Sequence, residues 1–173
     1  MIKSIFFDLD GTLTYTNVYP PEDPDLVFGE FGRELVHYAV KRPKVDDILA
    51  FTRDLVGVDE VFILTNASRY YAECVNRCCG LGFESHNIYT AEEIEKRSPK
   101  IKSRIPNTCL ADFSHILIDD MDPYWNSSKM IYLGIDKHRY LTIPPFDGTT
   151  KEDGFEKVVM DFLTEKKGAK PCF

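Results

Sequence analysis

The chain has 173 residues, 43% of them hydrophobic and 13% aromatic, enough for one domain with a sizeable core. No apolar run nears the roughly 18 residues that span a bilayer. A formal net charge of −7 excludes broad, sequence-independent binding to nucleic acid, so bulk nucleic acid is not an expected partner.

The first strand has no basic, apolar leader ahead of it, so a cytoplasmic location is expected. Ile5-Phe6-Phe7 reads as a buried strand that delivers two carboxylates, Asp8 and Asp10, with Gly11 turning the chain behind them. Ionisable groups at a buried strand end are costly unless opposite charge faces them. Residues 14–42 read as irregular, with Pro20, Pro21 and Pro24 in a loop and then a short helix near 30–40. Val45, Ile48, Leu49, Thr52 and Val56 recur at helical spacing, and Gly57 is a stop signal. "EVFILTN" is the next strand, ending at Thr65 and Asn66. Ser68 can cap a helix with Tyr71, Cys74, Val75 and Cys78 on one face, closed by Gly80.

"NIYT" is a short strand, followed by the basic "EKRSPKIKSR", which by itself reads as a solvated helix face. "HILIDD" is a continuous apolar run ending in Asp119 and Asp120. A helix through Trp125 and Met130 is expected to stop near Gly134, "RYLTI" gives a last strand, and residues 153–167 form a closing amphipathic helix. Of five cysteines, Cys74 and Cys78 lie four apart on one helix face, but no second Cys or His pair matches them. Buried reduced thiols are the reading. One domain is expected over residues 1–173, with 14–42 as an insertion beside the site.

Unbroken apolar strands alternating with helices indicate an α/β fold, a Rossmann-like parallel sheet with helices on both faces. In such sheets ligands bind beyond the carboxyl ends of the strands. Asp8, Asp10, Thr65, Asn66, Asp119 and Asp120 all lie at such ends. Converging carboxylates repel one another, and an oxygen-only ligand set selects Mg²⁺, which usually shares its coordination with a substrate phosphate. Asp8 then suits nucleophilic attack on phosphorus, and Asp10 suits acid and base duty. Thr65 can donate to a phosphoryl oxygen and a lysine can balance the developing charge.

"FFDLDGTLT", "FILTNAS" and "HILIDD" resemble the first, second and fourth motifs of the haloacid-dehalogenase-like (HAD-like) phosphatase superfamily, over roughly residues 2 to 143. The resemblance implies Mg²⁺ and an aspartyl-phosphate intermediate. It makes Asp8 the nucleophile and a metal ligand, and Asp10 the acid/base that offers its carbonyl to the metal. Thr65, with Asn66 beside it, binds phosphate, and Asp119 and Asp120 complete the metal site. Asp10 favours phosphoryl transfer, since dehalogenating members lack that carboxylate. The third-motif lysine is Lys100 or Lys102, which turns the basic cluster toward the phosphate. Asp122 and Asn126 are either metal-orienting or helix-capping groups.

No interval is long enough for a cap domain of usual size, so the site is expected to be open, suited to a large phosphorylated substrate or to closure by a second copy of the chain. "KRPKVDDILAF" and "SHILIDDMDPYW" resemble the phosphatases of the polymerase C-terminal-domain type. "GLGFESHNIYTAEEI" resembles nucleotidase-type members acting on small monophosphates. Tyr15, Tyr19, Phe28 and Phe31 are candidates to stack on a base, grip a peptide or pack locally. The competing readings are a catalytically idle binding module and a mutase-like phosphotransferase.

Overall fold

Alternation decides the central sheet. In β1 (Ser4–Phe7), Ile5 and Phe7 enter one apolar core while Phe6 enters another on the opposite face. In β5 (Val61–Leu64), Val61 and Ile63 divide from Leu64 in the same way. The computed structural model describes residues 2–23, 25–94, 115–149 and 154–168. Its five-stranded sheet has the order β6-β5-β1-β7-β8, with β6 at Ile88–Tyr89, β7 at His115–Asp119 and β8 at Tyr140–Thr142. Every pairing in it is parallel, as the unbroken apolar runs require.

Helices cover both faces. Helices α1 (Val45–Val56), α2 (Arg69–Cys78) and α4 (Phe155–Gly168) bury Ile48, Val75 and Val159 against one face. Helix α3 (Ser127–Leu133) sends Leu133 and Met130 to the other, where Phe6 stacks on Phe62 at 4.9 Å. Ser68 caps α2 as expected, accepting from the Tyr71 amide. Gly57 and Gly134 close α1 and α3.

Residues 14–42 correct the sequence reading. In place of a loop and a short helix near 30–40 they carry β2 (Thr14–Asn17), β3 (Phe28–Phe31) and β4 (His37–Lys41), an antiparallel sheet in the order β2-β4-β3. The reason is a period of two that the aromatics disguise: along β3, Gly29 and Phe31 turn inward while Phe28 and Glu30 face solvent. Phe31 packs edge-on against Tyr71 of α2, ring centroids 5.4 Å apart. A helix cannot present that alternation. Among the described residues no helix is long and apolar enough to cross a membrane.

Candidate active site

Taken in chain order, the strands of the large sheet read 3-2-1-4-5, so the order reverses between β1 and β7. In open parallel sheets this reversal opens a crevice at the carboxyl edge. Asp8 follows β1 there, its amide held by the Ile118 carbonyl at 2.9 Å, and Asp119 ends β7 beside it. The turn after Asp8 is tight: Gly11 donates to Thr14 at 2.7 Å, and Leu13 and Thr14 both donate to Leu9. Gly11 lies at φ 80°, and a Cβ there would meet Asp120 Oδ2 at 2.4 Å. Only glycine both accepts that backbone and lets Asp120 close over it. Thr12, fully buried, donates to Asp120 Oδ1 at 3.2 Å.

Asp8, Asp119 and Asp120 each bring a carboxylate oxygen within 4.8 Å of the others. Lys129, from α3, reaches into this cluster. Its Nζ lies 2.6 Å from Asp8 Oδ1 and 2.7 Å from Asp119 Oδ2, and the residue is 1% exposed. Burial works against its charge, but the carboxylates of Asp8 and Asp119 overcome that and hold the lysine protonated, above its ordinary range. Burial raises Asp8 to about 7, with Lys129 opposing and Asp119 adding to the rise. Asp120 is also raised, by burial and then by repulsion from Asp119. Three carboxylates against one ammonium leave an excess of two negative charges in a desolvated crevice. An all-oxygen donor set with that excess fits a hard divalent cation.

Asp10 sits apart from this cluster. Its Oδ1 accepts from the Tyr71 hydroxyl at 2.8 Å and from the Thr16 hydroxyl at 3.1 Å. Burial raises its pKa, and these two hydrogen bonds partly offset the rise. Burial and then the Asp10 charge push the Tyr71 phenol up, so it stays a donor. Thr65, at the end of β5, is 3% exposed and its hydroxyl accepts from the Ala67 amide, while Asn66 is exposed. Lys100 and Lys102 lie outside the described residues.

Sequence reasoning missed Lys129. The signal was present: Asn126, Lys129, Met130 and Leu133 recur at i, i+3, i+4 and i+7, so a lysine falls on an apolar stripe. It also missed Arg42. This buried residue donates to the carbonyls of Gly11 and Thr12 at 3.2 Å and of Pro144 at 2.8 Å, with its guanidinium 4.1 Å from the Phe155 ring centre. Asn126 does not cap α3 with its side chain. It donates instead to the Tyr140 hydroxyl at 2.7 Å, which in turn donates to the Met121 carbonyl and fixes the backbone after Asp120. Asp122 accepts from the Tyr124 amide in a local turn. Of the four candidate aromatics Tyr15, Tyr19, Phe28 and Phe31, Tyr15 and Phe31 pack locally, whereas Tyr19 and Phe28 are exposed.

A family model for NLI interacting factor-like phosphatases matches residues 3–170. The chain belongs to this family. Among solved structures it is similar to the fission yeast RNA polymerase II CTD phosphatase Fcp1 bound to beryllium fluoride, with TM-score 0.54 and 14% identity. A second structure of Fcp1, described as an essential RNA polymerase II CTD phosphatase, gives TM-score 0.56 and 14% identity. The matches cover 96% of this chain but only 51% and 49% of those chains, so this chain spans about half their length. At that identity the likeness shows the fold. No curated protein sequence gives a significant match.

Proposed function

We propose that this protein is a phosphatase that hydrolyses a phosphate monoester through an aspartyl phosphate on Asp8, with a phosphorylated protein segment as its substrate. The observation that carries the reading is the Lys129 ammonium seated between Asp8 and Asp119 at the reversal of the sheet. Lys129 occupies Oδ1 of Asp8, which leaves Oδ2 to attack phosphorus. Asp8, Asp119 and Asp120, with the Asp10 carbonyl, are the groups that would hold Mg²⁺, whose chemistry there is to neutralise phosphoryl oxygens. The Thr65 hydroxyl, with Asn66 beside it, meets a phosphoryl oxygen. Lys129 favours the ionised form of the nucleophile against the effect of burial and balances charge as the phosphoryl group arrives. Lys100 and Lys102 remain candidates for the same phosphate.

Asp10 gives its proton to the leaving oxygen as the bond to phosphorus breaks. It then takes a proton from the water that attacks the aspartyl phosphate, which releases inorganic phosphate and restores Asp8. In this reading residues 1–173 act as one domain, with β2–β4 as its insertion. Beside Asp10, residues of β3, the β3–β4 turn and α2, among them Phe31, Arg33, Leu35, Tyr70 and Tyr71, line an open groove of about 730 Å³. An open groove of that size supports a chain segment over a free small monophosphate. The free thiols of Cys74, Cys78 and Cys79 fit a reducing, cytoplasmic setting.

The test is phosphate release from para-nitrophenyl phosphate with Mg²⁺, with EDTA and with Asp8→Asn, followed by matched phosphopeptides and nucleotides. Mg²⁺-dependent turnover that falls more than about 10³-fold in Asp8→Asn is expected, with phosphopeptides preferred. Absence of turnover, together with no capture of beryllofluoride at Asp8, would refute the enzyme reading in favour of a binding role.

A further inference from the structure

Asp10 has two oxygens, and the protein treats them unequally. Both hydroxyl contacts, from Tyr71 at 2.8 Å and Thr16 at 3.1 Å, fall on Oδ1, and the two hydroxyls lie 2.8 Å from each other. No described residue donates to Oδ2. Two protons serve three oxygens in this triangle: Thr16 donates to Oδ1, and the Tyr71 proton is shared between Oδ1 and the Thr16 hydroxyl oxygen. We propose that Tyr71 and Thr16 are positioning residues that anchor Oδ1 of Asp10 and so reserve Oδ2 as the atom that carries the proton to and from the substrate.

The supports come from separate elements. Asp10 lies on the turn after β1, Thr16 on β2 and Tyr71 on α2, whose ring rests edge-on against Phe31 of β3. A half turn of the protonated Asp10 carboxyl would set its O–H, a poorer acceptor, against the two hydroxyl donors, so those contacts keep the proton on the oxygen that faces away from them. A freely rotating carboxyl would spend part of its time with the proton turned away from the leaving group, and proton transfer tolerates little misplacement. The insertion thus contributes to the reaction through Thr16 directly and through Phe31 by holding Tyr71.

This inference rests on the phosphatase reading, and its test separates the two. In the transfer step the P–O bond to the leaving group breaks as Asp8 Oδ2 bonds to phosphorus, and the Oδ2 proton of Asp10 passes to the departing oxygen. Need for that proton grows with the basicity of the leaving group. The experiment measures kcat/KM, which reports events up to loss of the leaving group, for 2,4-dinitrophenyl, para-nitrophenyl, phenyl and alkyl phosphates with Mg²⁺. Tyr71→Phe is expected to lose about 10- to 100-fold on phenyl and alkyl phosphates and less than about threefold on the dinitrophenyl ester. Thr16→Val is expected to show the same slope at smaller size, and it decides the matter if Tyr71→Phe does not fold. In an Asp10→Asn background, Tyr71→Phe is expected to add nothing further. Equal loss on every ester, no loss, or a further loss in the Asp10→Asn background each overturns the inference while leaving the phosphatase reading intact. A wild-type enzyme inert even toward the dinitrophenyl ester overturns both.

Discussion

The two sheets of this protein were built under different constraints. The parallel sheet is sealed on both faces, so every residue of β1 is buried, and polar groups appear only where its strands end. The antiparallel sheet has one small core of Leu26, Val40 and Phe146, and its β3 strand leaves alternate residues in solvent. Burial from both sides forces a sequence to declare itself. A half-covered sheet leaning on a helix does not, because its stability comes from a neighbour distant in the chain. At Gly29 an added Cβ would meet Cys78 Cβ at 2.7 Å, so β3 and α2 approach as closely as backbone permits.

The contrast is sharpest at the edge where the sealed sheet carries charge. Lys129→Met leaves Asp8 and Asp119 facing each other without a cation. It is expected to cost about 3–5 kcal/mol in urea unfolding at pH 8 in EDTA. The loss should shrink at pH 5.5, where Asp8 can take up a proton; an equal loss at both pH values would contradict the charge argument. Arg42 joins the two sheets, and Arg42→Lys keeps the charge but cannot serve three carbonyls in one plane. About 2 kcal/mol of destabilisation is expected, with a matching drop in activity.

A smaller effect comes from Asp8 itself. Its folded pKa of about 7 lies above the unfolded value of 3.8, so the folded metal-free protein binds that proton more tightly. The stability from this linkage is full below the unfolded value and is lost as pH rises through about 7. Melting in EDTA should therefore fall by a few degrees between pH 6 and pH 8, and the fall should be smaller in Asp8→Asn. The smallest expected change is in the insertion. Phe31→Ala should cost about 1 kcal/mol, since the ring is only partly buried. Its mark should appear in catalysis, as a loss on basic leaving groups that resembles Tyr71→Phe.

The sequence made the parallel sheet, its helices and the edge bearing Asp8, Asp119 and Asp120 legible because buried strands cannot hide polar residues. The contacts that hold Asp10 were not legible, because Tyr71 reads as one more inward residue of an amphipathic helix and Thr16 as one more loop threonine. Lys129 was hidden by chain order. It stands beyond "HILIDD", whereas the family pattern directs attention to the lysines before it.

Arg42 also links the two ends of the chain. A protein cut after Ile143 would retain all eight described strands, Lys129 and the carboxylates of Asp8, Asp10, Asp119 and Asp120. It would lose the Pro144 carbonyl and the Phe155 ring against which Arg42 rests. The damage would reach Gly11 and Thr12, beside Asp8, as well as the sheet face that α4 covers. Cleavage in this distant segment would thereby disturb the turn that carries Asp8 and Asp10, as well as the core that α4 completes.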